Sequence, residues 1–363
     1  MKRNFRLFCT MCLAGSLAIF ASSCKKSEEK QFVEVTLPAF EEVIGEPSEA
    51  DRAYIDFNSG ATFHWNGKDN MLVYNLCEDD YTKSLKAVFE AQENAEGEPT
   101  GKFWYISGDS WDAKLDHFYM IYPVSRVKDP TARLGWQNRE YFVVPRTQSY
   151  SFDKNGNPTV DPDAMALVGE TYDLTSQVVL NHVFGICRLR LQGTALVDSI
   201  KLTGNVAPND IQNDGLTGEV SLRLNRVDMA RFNELVSLYN VANLSNLSST
   251  YFQKWDEYRT YLGYAPNEDG KELVLSCHNA AKGVSGVQLD ASNYTPFYFS
   301  VRPGAFIYGF DIDVYYHVGT TAGVKSIHNY LNPEGGMKDS YCIKAGTVTG
   351  FRPKNGSAYV TIP

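Results

Sequence analysis

The sequence predicts an all-β protein made of two tandem β-sandwich domains, the second with a short helical insertion. Three observations predict this class. Aromatic residues make up 13% of the chain, with 22 Tyr and 20 Phe, and such side chains suit the pleated, half-buried surface of a strand. Short runs alternate apolar with polar residues at strand periodicity. Short strands so often punctuated by Gly, Asn and Pro suggest an antiparallel sandwich rather than alternating strands and helices.

In chain order, the first strand falls within Gln31–Phe40, where Val33, Val35 and Leu37 share one face and Glu34 and Thr36 the other. Ala53, Ile55 and Phe57 repeat the pattern, as do Phe63 and Trp65. Asn58-Ser59-Gly60 and Asn66-Gly67 separate these runs, and Asn-Gly predicts a hairpin turn. Met71–Leu76 is a short apolar run, as a strand buried on both faces requires. Phe103–Ile106 and Phe118–Tyr122 follow. Pro123 stops the second of these, and Tyr141–Val144 ends at Pro145, because proline donates nothing to a ladder. These runs fill a first sandwich over residues 31–170, and the polar stretch Gly169–Gln177 is the expected linker.

The second sandwich is expected over residues 177–363. Cys187, Leu189 and Leu191 alternate with Arg188 and Arg190; Val220, Leu222 and Leu224 alternate with Ser221, Arg223 and Asn225. Phe306–Tyr316 is the clearest strand, with Phe306, Tyr308, Phe310, Ile312 and Val314 opposite Gly309, Asp311 and Asp313. The chain closes with Ala358, Val360 and Ile362 alternating against Tyr359 and Thr361. One segment departs from the β pattern. Val227–Tyr264 has no Gly or Pro before Gly263, and Phe232, Leu235, Val236, Tyr239 and Leu244 fall near helical spacing. About 227–264 is therefore expected to form one or two helices, placed to cover an exposed strand edge.

The amino terminus reads as an export signal. Lys2, Arg3 and Arg6 precede an apolar stretch of 14 residues, Leu7–Phe20, too short to span a bilayer. Ala21-Ser22-Ser23 and Cys24 follow. Small residues before a cysteine resemble a bacterial lipoprotein signal, in which the thiol is acylated and starts the mature chain. Position 21 is Ala where that motif prefers Leu. Residues 1–23 are then the signal and 24–30 a tether, Lys25-Lys26-Ser27-Glu28-Glu29-Lys30 following the cysteine. Losing 1–23 removes three cations and no anions and takes the formal charge from −9 to −12. So acidic a chain repels phosphate backbones, which argues against nucleic acid as a partner.

No catalytic constellation emerges. His64, His117, His182, His278, His317 and His328 show no zinc-ligand spacing. His117 lies near Asp112 and Asp116 but reads as an ordinary polar residue leading into a strand. Asp311 and Asp313 are the outward positions of a perfect alternation. Asp153-Lys154-Asn155-Gly156-Asn157 has calcium-like oxygen spacing, yet Pro158 and Ala164 stand where a calcium loop needs Gly and Glu. An Asn-Gly turn explains it better. No nucleotide or hydrolase motif is present, so neither enzyme activity nor a cofactor or metal is expected. Cys77, Cys187, Cys277 and Cys342 allow three disulfide pairings or four buried thiols, and burial is the plainer reading. Trp104 and Trp111 are the positions at which exposed rings would stack on sugars. That alternative makes the protein a surface glycan-binding lipoprotein for nutrient capture.

Several segments follow one another in a characteristic order: Arg52-Ala53-Tyr54-Ile55-Asp56, Phe63-His64-Trp65-Asn66-Gly67-Lys68-Asp69, Leu72-Val73-Tyr74, Phe118-Tyr119-Met120-Ile121-Tyr122-Pro123 and Val144-Pro145-Arg146-Thr147-Gln148. Asn181-His182-Val183-Phe184-Gly185-Ile186, Asp198-Ser199-Ile200-Lys201-Leu202-Thr203-Gly204 and Leu216-Thr217-Gly218-Glu219-Val220 continue the order. This order resembles that of the fimbrillin-like lipoproteins, the type V pilin family. The resemblance implies two transthyretin-like sandwiches in a protein lipid-anchored to the outer membrane and exposed at the surface, a non-catalytic pilus subunit or adhesion component. It implies assembly by donor-strand exchange, with other fimbrial subunits or surface ligands as partners. On that pattern Val33, Val35 and Leu37 mark the removable strand, Arg52 the protease site, and Ala358, Val360 and Ile362 the donor strand. Loss of one strand bares main-chain groups and apolar pockets, and a guest strand satisfies both. The helical insertion departs from the family pattern; it argues against an ordinary stalk subunit and is compatible with a tip, anchor or non-polymerising member.

Overall fold

The computed structural model describes residues 32–36, 41–42, 54–56, 62–65, 68–77, 80, 83–92, 98, 100–109, 117–130, 139–152, 156–204, 216–223, 262–264, 268–279, 284–305, 310–329, 342–350 and 359–363. The strand-forming composition gives an all-β sandwich fold there, and helical structure takes the form of 3-10 turns, as at Val124–Arg126, Pro162–Ala164 and Glu268–Lys271.

The largest sheet runs in the order β14 (Val178–Val179), β1 (Phe32–Thr36), β7 (Thr100–Gly108), β6 (Leu85–Ala91), β5 (Asn70–Asn75), β8 (Phe118–Tyr122), β13 (Leu167–Thr171) and β15 (Asn181–His182). The unalternating run of β5 is explained by its central place: Met71–Asn75 are all buried. On one face Met71, Val73, Phe89, Phe103, Met120 and Leu167 build a first core around Trp65. The Trp65 ring meets Phe103 and Tyr122 edge-on at 4.7 and 5.2 Å, a favoured aromatic geometry. On the other face the Tyr74 hydroxyl donates to Glu140. Glu140 belongs to β9 (Arg139–Val144), which pairs in a three-stranded sheet with β18 (Gly218–Arg223), itself paired with β19 (Leu262–Tyr264).

A second sheet has the order β10 (Thr147–Ser149), β20 (Glu272–Ser276), β17 (Leu196–Gly204), β26 (Phe310–Val318), β27 (Thr321–Asn329), with β23 (Val287–Gln288) also on β17. A third runs β2 (Glu41–Glu42), β29 (Thr347–Gly350), β16 (Gly185–Gln192), β24 (Thr295–Val301), with β30 (Val360–Thr361) also on β16. Four two-stranded pairs remain: β3 (Tyr54–Asp56) with β4 (Thr62–His64), β11 (Ser151–Phe152) with β12 (Pro158–Thr159), β21 (His278–Asn279) with β22 (Val284–Ser285), and β25 (Gly304–Ala305) with β28 (Cys342–Ile343).

The third sheet is an internal layer. Ile186, Tyr298 and Val348 point into the first core, while Cys187, Leu189, Leu191, Phe297 and Phe299 point into a second core shared with Ile200, Leu275 and Val314. The alternation along β16 therefore does not end in water. Arg188 is 4% exposed and bonds the Tyr298 hydroxyl, and the Arg190 guanidinium sits 4.5 Å from the centre of the Tyr294 ring. Buried guanidinium groups persist because their donors find partners and their flat faces stack on aromatic rings. Gln148 ties two layers together: its amide donates to Ser300 O at 2.7 Å and accepts from Ser300 N at 2.8 Å.

Several expectations change. The sheets are mixed, not purely antiparallel: β1–β14, β10–β20, β2–β29, β16–β29 and β16–β30 pair in parallel. Asn66-Gly67 lies outside the described residues, and the strands that flank it pair elsewhere, β4 with β3 and β5 with β6 and β8. Asn58-Ser59-Gly60 lies between the strands that do pair. The expected linker loses Gly169–Thr171 to β13, which pairs with β8. The expected helical insertion lies outside the described residues except at its end, and there Leu262–Tyr264 is a strand paired with β18. The clearest predicted strand is described over Phe310–Val318, so it runs past Tyr316.

Candidate functional site

β1 is five residues long and is held from both sides. It pairs antiparallel with β7 from Phe32↔Trp104 to Thr36↔Thr100, and in parallel with β14 at Val35↔Val178 and Thr36↔Val179. Register partners share a sheet face. Positions 33 and 35 therefore fall on the face of Phe103 and Gly101, both buried, and position 34 on that of exposed Lys102. Phe103 is fully buried, and Val178 and Leu180 join it in the first core. Without β1, five β7 positions and two on β14 lose their partners. Unpaired backbone groups and bared apolar surface are what an incoming strand recognises.

The short β14 is positioned by the turn before it. Asp173 accepts from Thr175 N at 2.8 Å, from Thr175 Oγ1 at 2.7 Å and from Ser176 Oγ at 2.8 Å. These bonds, the Thr175 hydroxyl first, hold the exposed Asp173 carboxyl below its usual range. At the start of the turn Glu170 Oε1 accepts from Tyr119 OH at 2.7 Å and lies 2.7 Å from His117 Nε2. Tyr172 stacks on His117, with ring centres 4.2 Å apart. The partner of His117 is thus Glu170, far away in sequence. Pairing of β8 with β13, which sets Tyr119 against Glu170, brings them together.

The carboxyl-terminal strand is docked elsewhere. β29 and β30 share the edge of β16 opposite β24: Ile186↔Val348 through Arg188↔Gly350, then Leu191↔Val360 and Gln192↔Thr361. Val360 and Ile362 are 8% and 1% exposed and belong to the second core. Ile362 N donates to Gln192 O at 2.8 Å and Thr194 N to Pro363 O at 3.1 Å. Gly193 permits this approach, since a Cβ there would stand 2.0 Å from Ile362 O.

Among the other sequence candidates, Cys24, Leu37, Arg52, Trp111 and Ala358 lie outside the described residues. Trp104 is half-buried, the register partner of Phe32 on one side and Glu90 on the other. Cys187 and Cys277 are buried and Cys77 half-buried, all three as free thiols. Burial pushes the Cys187 thiol up, and that of Cys277 to about 12. Asp313 accepts from Ser326 Oγ at 2.6 Å across β26 and β27. Among the described residues no group of three His, Cys, Asp or Glu side chains is placed to hold a metal ion. Sequence reasoning missed β14, Asp173 and the Glu170 cluster. Only the Asp-x-Thr turn pattern at 173–175 signals any of them locally.

No protein-family model matches this chain, and no curated protein does. Solved structures are similar to it at low identity. A candidate cell adhesion protein from Bacteroides uniformis is 12% identical with a TM-score of 0.42, over 92% of this chain and 96% of that one. One from Bacteroides ovatus is 12% identical with a TM-score of 0.41, over 90% and 94%. A fimbrial protein from Bacteroides ovatus is 10% identical with a TM-score of 0.31, over 92% of this chain and 50% of that one.

Proposed function

We propose that this chain is an exported, lipid-anchored surface protein of the fimbrillin type, a non-catalytic pilus subunit or adhesion component that assembles by exchange of β1. Its two sandwiches, residues 31–170 and 177–363, meet at the turn before β14, and the first lends β9 and β10 to sheets of the second. Cys24 carries the lipid that holds it at the outer membrane, and Arg52 is the processing site.

The observation that carries this reading is the placement of β1 and β2. Both precede Arg52, and they lie in different sheets, β1 between β7 and β14 and β2 on β29. One cut at Arg52 therefore frees both strands and opens two slots. The β1 slot fixes the polarity of its guest, which must run antiparallel to β7 and parallel to β14. It also asks for apolar side chains opposite Gly101 and Phe103. β30 supplies alternating apolar positions, and its own docking on β16 keeps them covered until a partner is available.

The test is digestion of the purified chain with an Arg-specific protease, with Arg52→Ala in parallel. Ladders of subunits from the native chain, absent from the variant, are expected. A native chain that is cut after Arg52 and stays monomeric would overturn the reading.

A further inference from the structure

β27 forms one edge of the second sheet, and among the described residues no strand pairs with its outer side. The β26–β27 ladder runs without a bulge through nine residue pairs, from Phe310↔Asn329 to Val318↔Thr321. Gly319, with φ of +60°, supplies the left-handed conformation that its tight turn needs. Edge strands are commonly guarded by prolines, bulges, short length or charges, lysine above all. β27 is nine residues long, has no Pro, and carries Lys325 as its one formal charge. Thr321–Ile327 are exposed or half-exposed throughout; Val324 is 53% exposed and its register partner Tyr315 37%. The Tyr316 ring covers Gly323 so closely that a Cβ there would come within 2.6 Å of it, an arrangement that pins register.

The occupant that fits this edge is a second copy of the same edge. A two-fold axis normal to the sheet puts residues of the same face opposite one another. An axis through Lys325 would set two ammonium groups against each other, which is destabilising. An axis through Gly323 would pair only Thr321–Lys325. An axis through Val324 pairs Thr321–Ile327 and sets Val324 against its own copy. It places Lys325 opposite the second copy's Gly323, which has no side chain of its own and lies under the Tyr316 ring.

We propose that the β27 edge is a self-recognition surface, to which a second copy of this chain adds its own β27 antiparallel with Val324 on the two-fold axis. So short a ladder makes a small interface, so the dimer is weak and reversible. The inference rests on no part of the strand-exchange reading, since β27 and β1 lie in different sheets.

Sedimentation equilibrium of the full-length chain in mild detergent tests it. A reversible monomer–dimer equilibrium is expected. Val324→Lys should weaken it roughly fivefold or more, by replacing an apolar cross-strand pair with like charges. Val324→Thr should retain it. Oxidising Val324→Cys with diamide should yield a dimer whose linked peptide joins position 324 to itself, as read by mass spectrometry. A chain that stays monomeric at its solubility limit, a dimer indifferent to Val324→Lys, or cross-links that avoid position 324 would each overturn the proposal.

Discussion

Phe103→Ala tests whether the floor of the β1 slot is a closed core. Phe103 is fully buried, with its ring edge-on to Trp65 at 4.7 Å. Truncating a buried Phe costs about 3–5 kcal/mol through lost transfer energy and the cavity left behind. A domain stable by about 5–15 kcal/mol loses a large share of its margin. The urea midpoint should fall by roughly 1 M or more. Ile106→Ala on the same strand is the comparison, since Ile106 is 49% exposed; it should cost no more than about 1 kcal/mol. Because position 33 is the register partner of Phe103, a double-mutant cycle with Val33→Ala should return a coupling of about 0.5–1 kcal/mol. If Phe103→Ala costs less than about 1 kcal/mol, or the cycle is additive to within about 0.3 kcal/mol, β1 does not cap this core and the slot argument fails.

Other expectations concern the supports around the slot. Burial holds the Glu140 carboxyl above its ordinary value of 4.5, partly offset by the Tyr74 hydroxyl. The folded state therefore binds that proton more tightly than the unfolded chain, and stability declines as pH rises above 4.5. Glu140→Gln removes this contribution, so its stability should fall less than the native protein's between about pH 4 and pH 7; identical slopes would refute it. Gln148→Ala strands the Ser300 N–H and C=O and should cost about 2 kcal/mol or more in thermal or urea unfolding, whereas a loss below about 0.5 kcal/mol would show the bridge idle. Gly193→Ala drives a Cβ against Ile362 O, so carboxypeptidase should trim the terminus faster; unchanged trimming would mean that β30 is held by other contacts.

Local pattern and tertiary setting divide the molecule unevenly. Phe118–Tyr122 was legible to the residue, because an aromatic run stops at a proline. Met71–Leu76 announced a strand buried on both faces, and β5 is central in its sheet. Gln148 was visible as part of a motif, but its purpose was not, since its partner Ser300 lies 152 residues away. Asn66-Gly67 is a good hairpin signal, yet the strands that flank it choose other partners, because a local signal says nothing about which strands pair. Of the candidate site, the apolar alternation of Val33 and Val35 could be read, and β14 could not. Two residues carry no periodicity, and β14 exists only because β1 lies beside it.

By itself the sequence determined the β class and the places of β1, β3, β4, β5, β7, β8 and β9. Composition and period act through neighbouring residues, so they survive in any reading of the chain. Tertiary structure alone decided that β16 separates two cores, that Arg188 is buried, and that β1 and β2 enter different sheets. Those facts depend on which distant backbone groups pair, and a strand's own residues set the spacing of its faces without naming what lies across them.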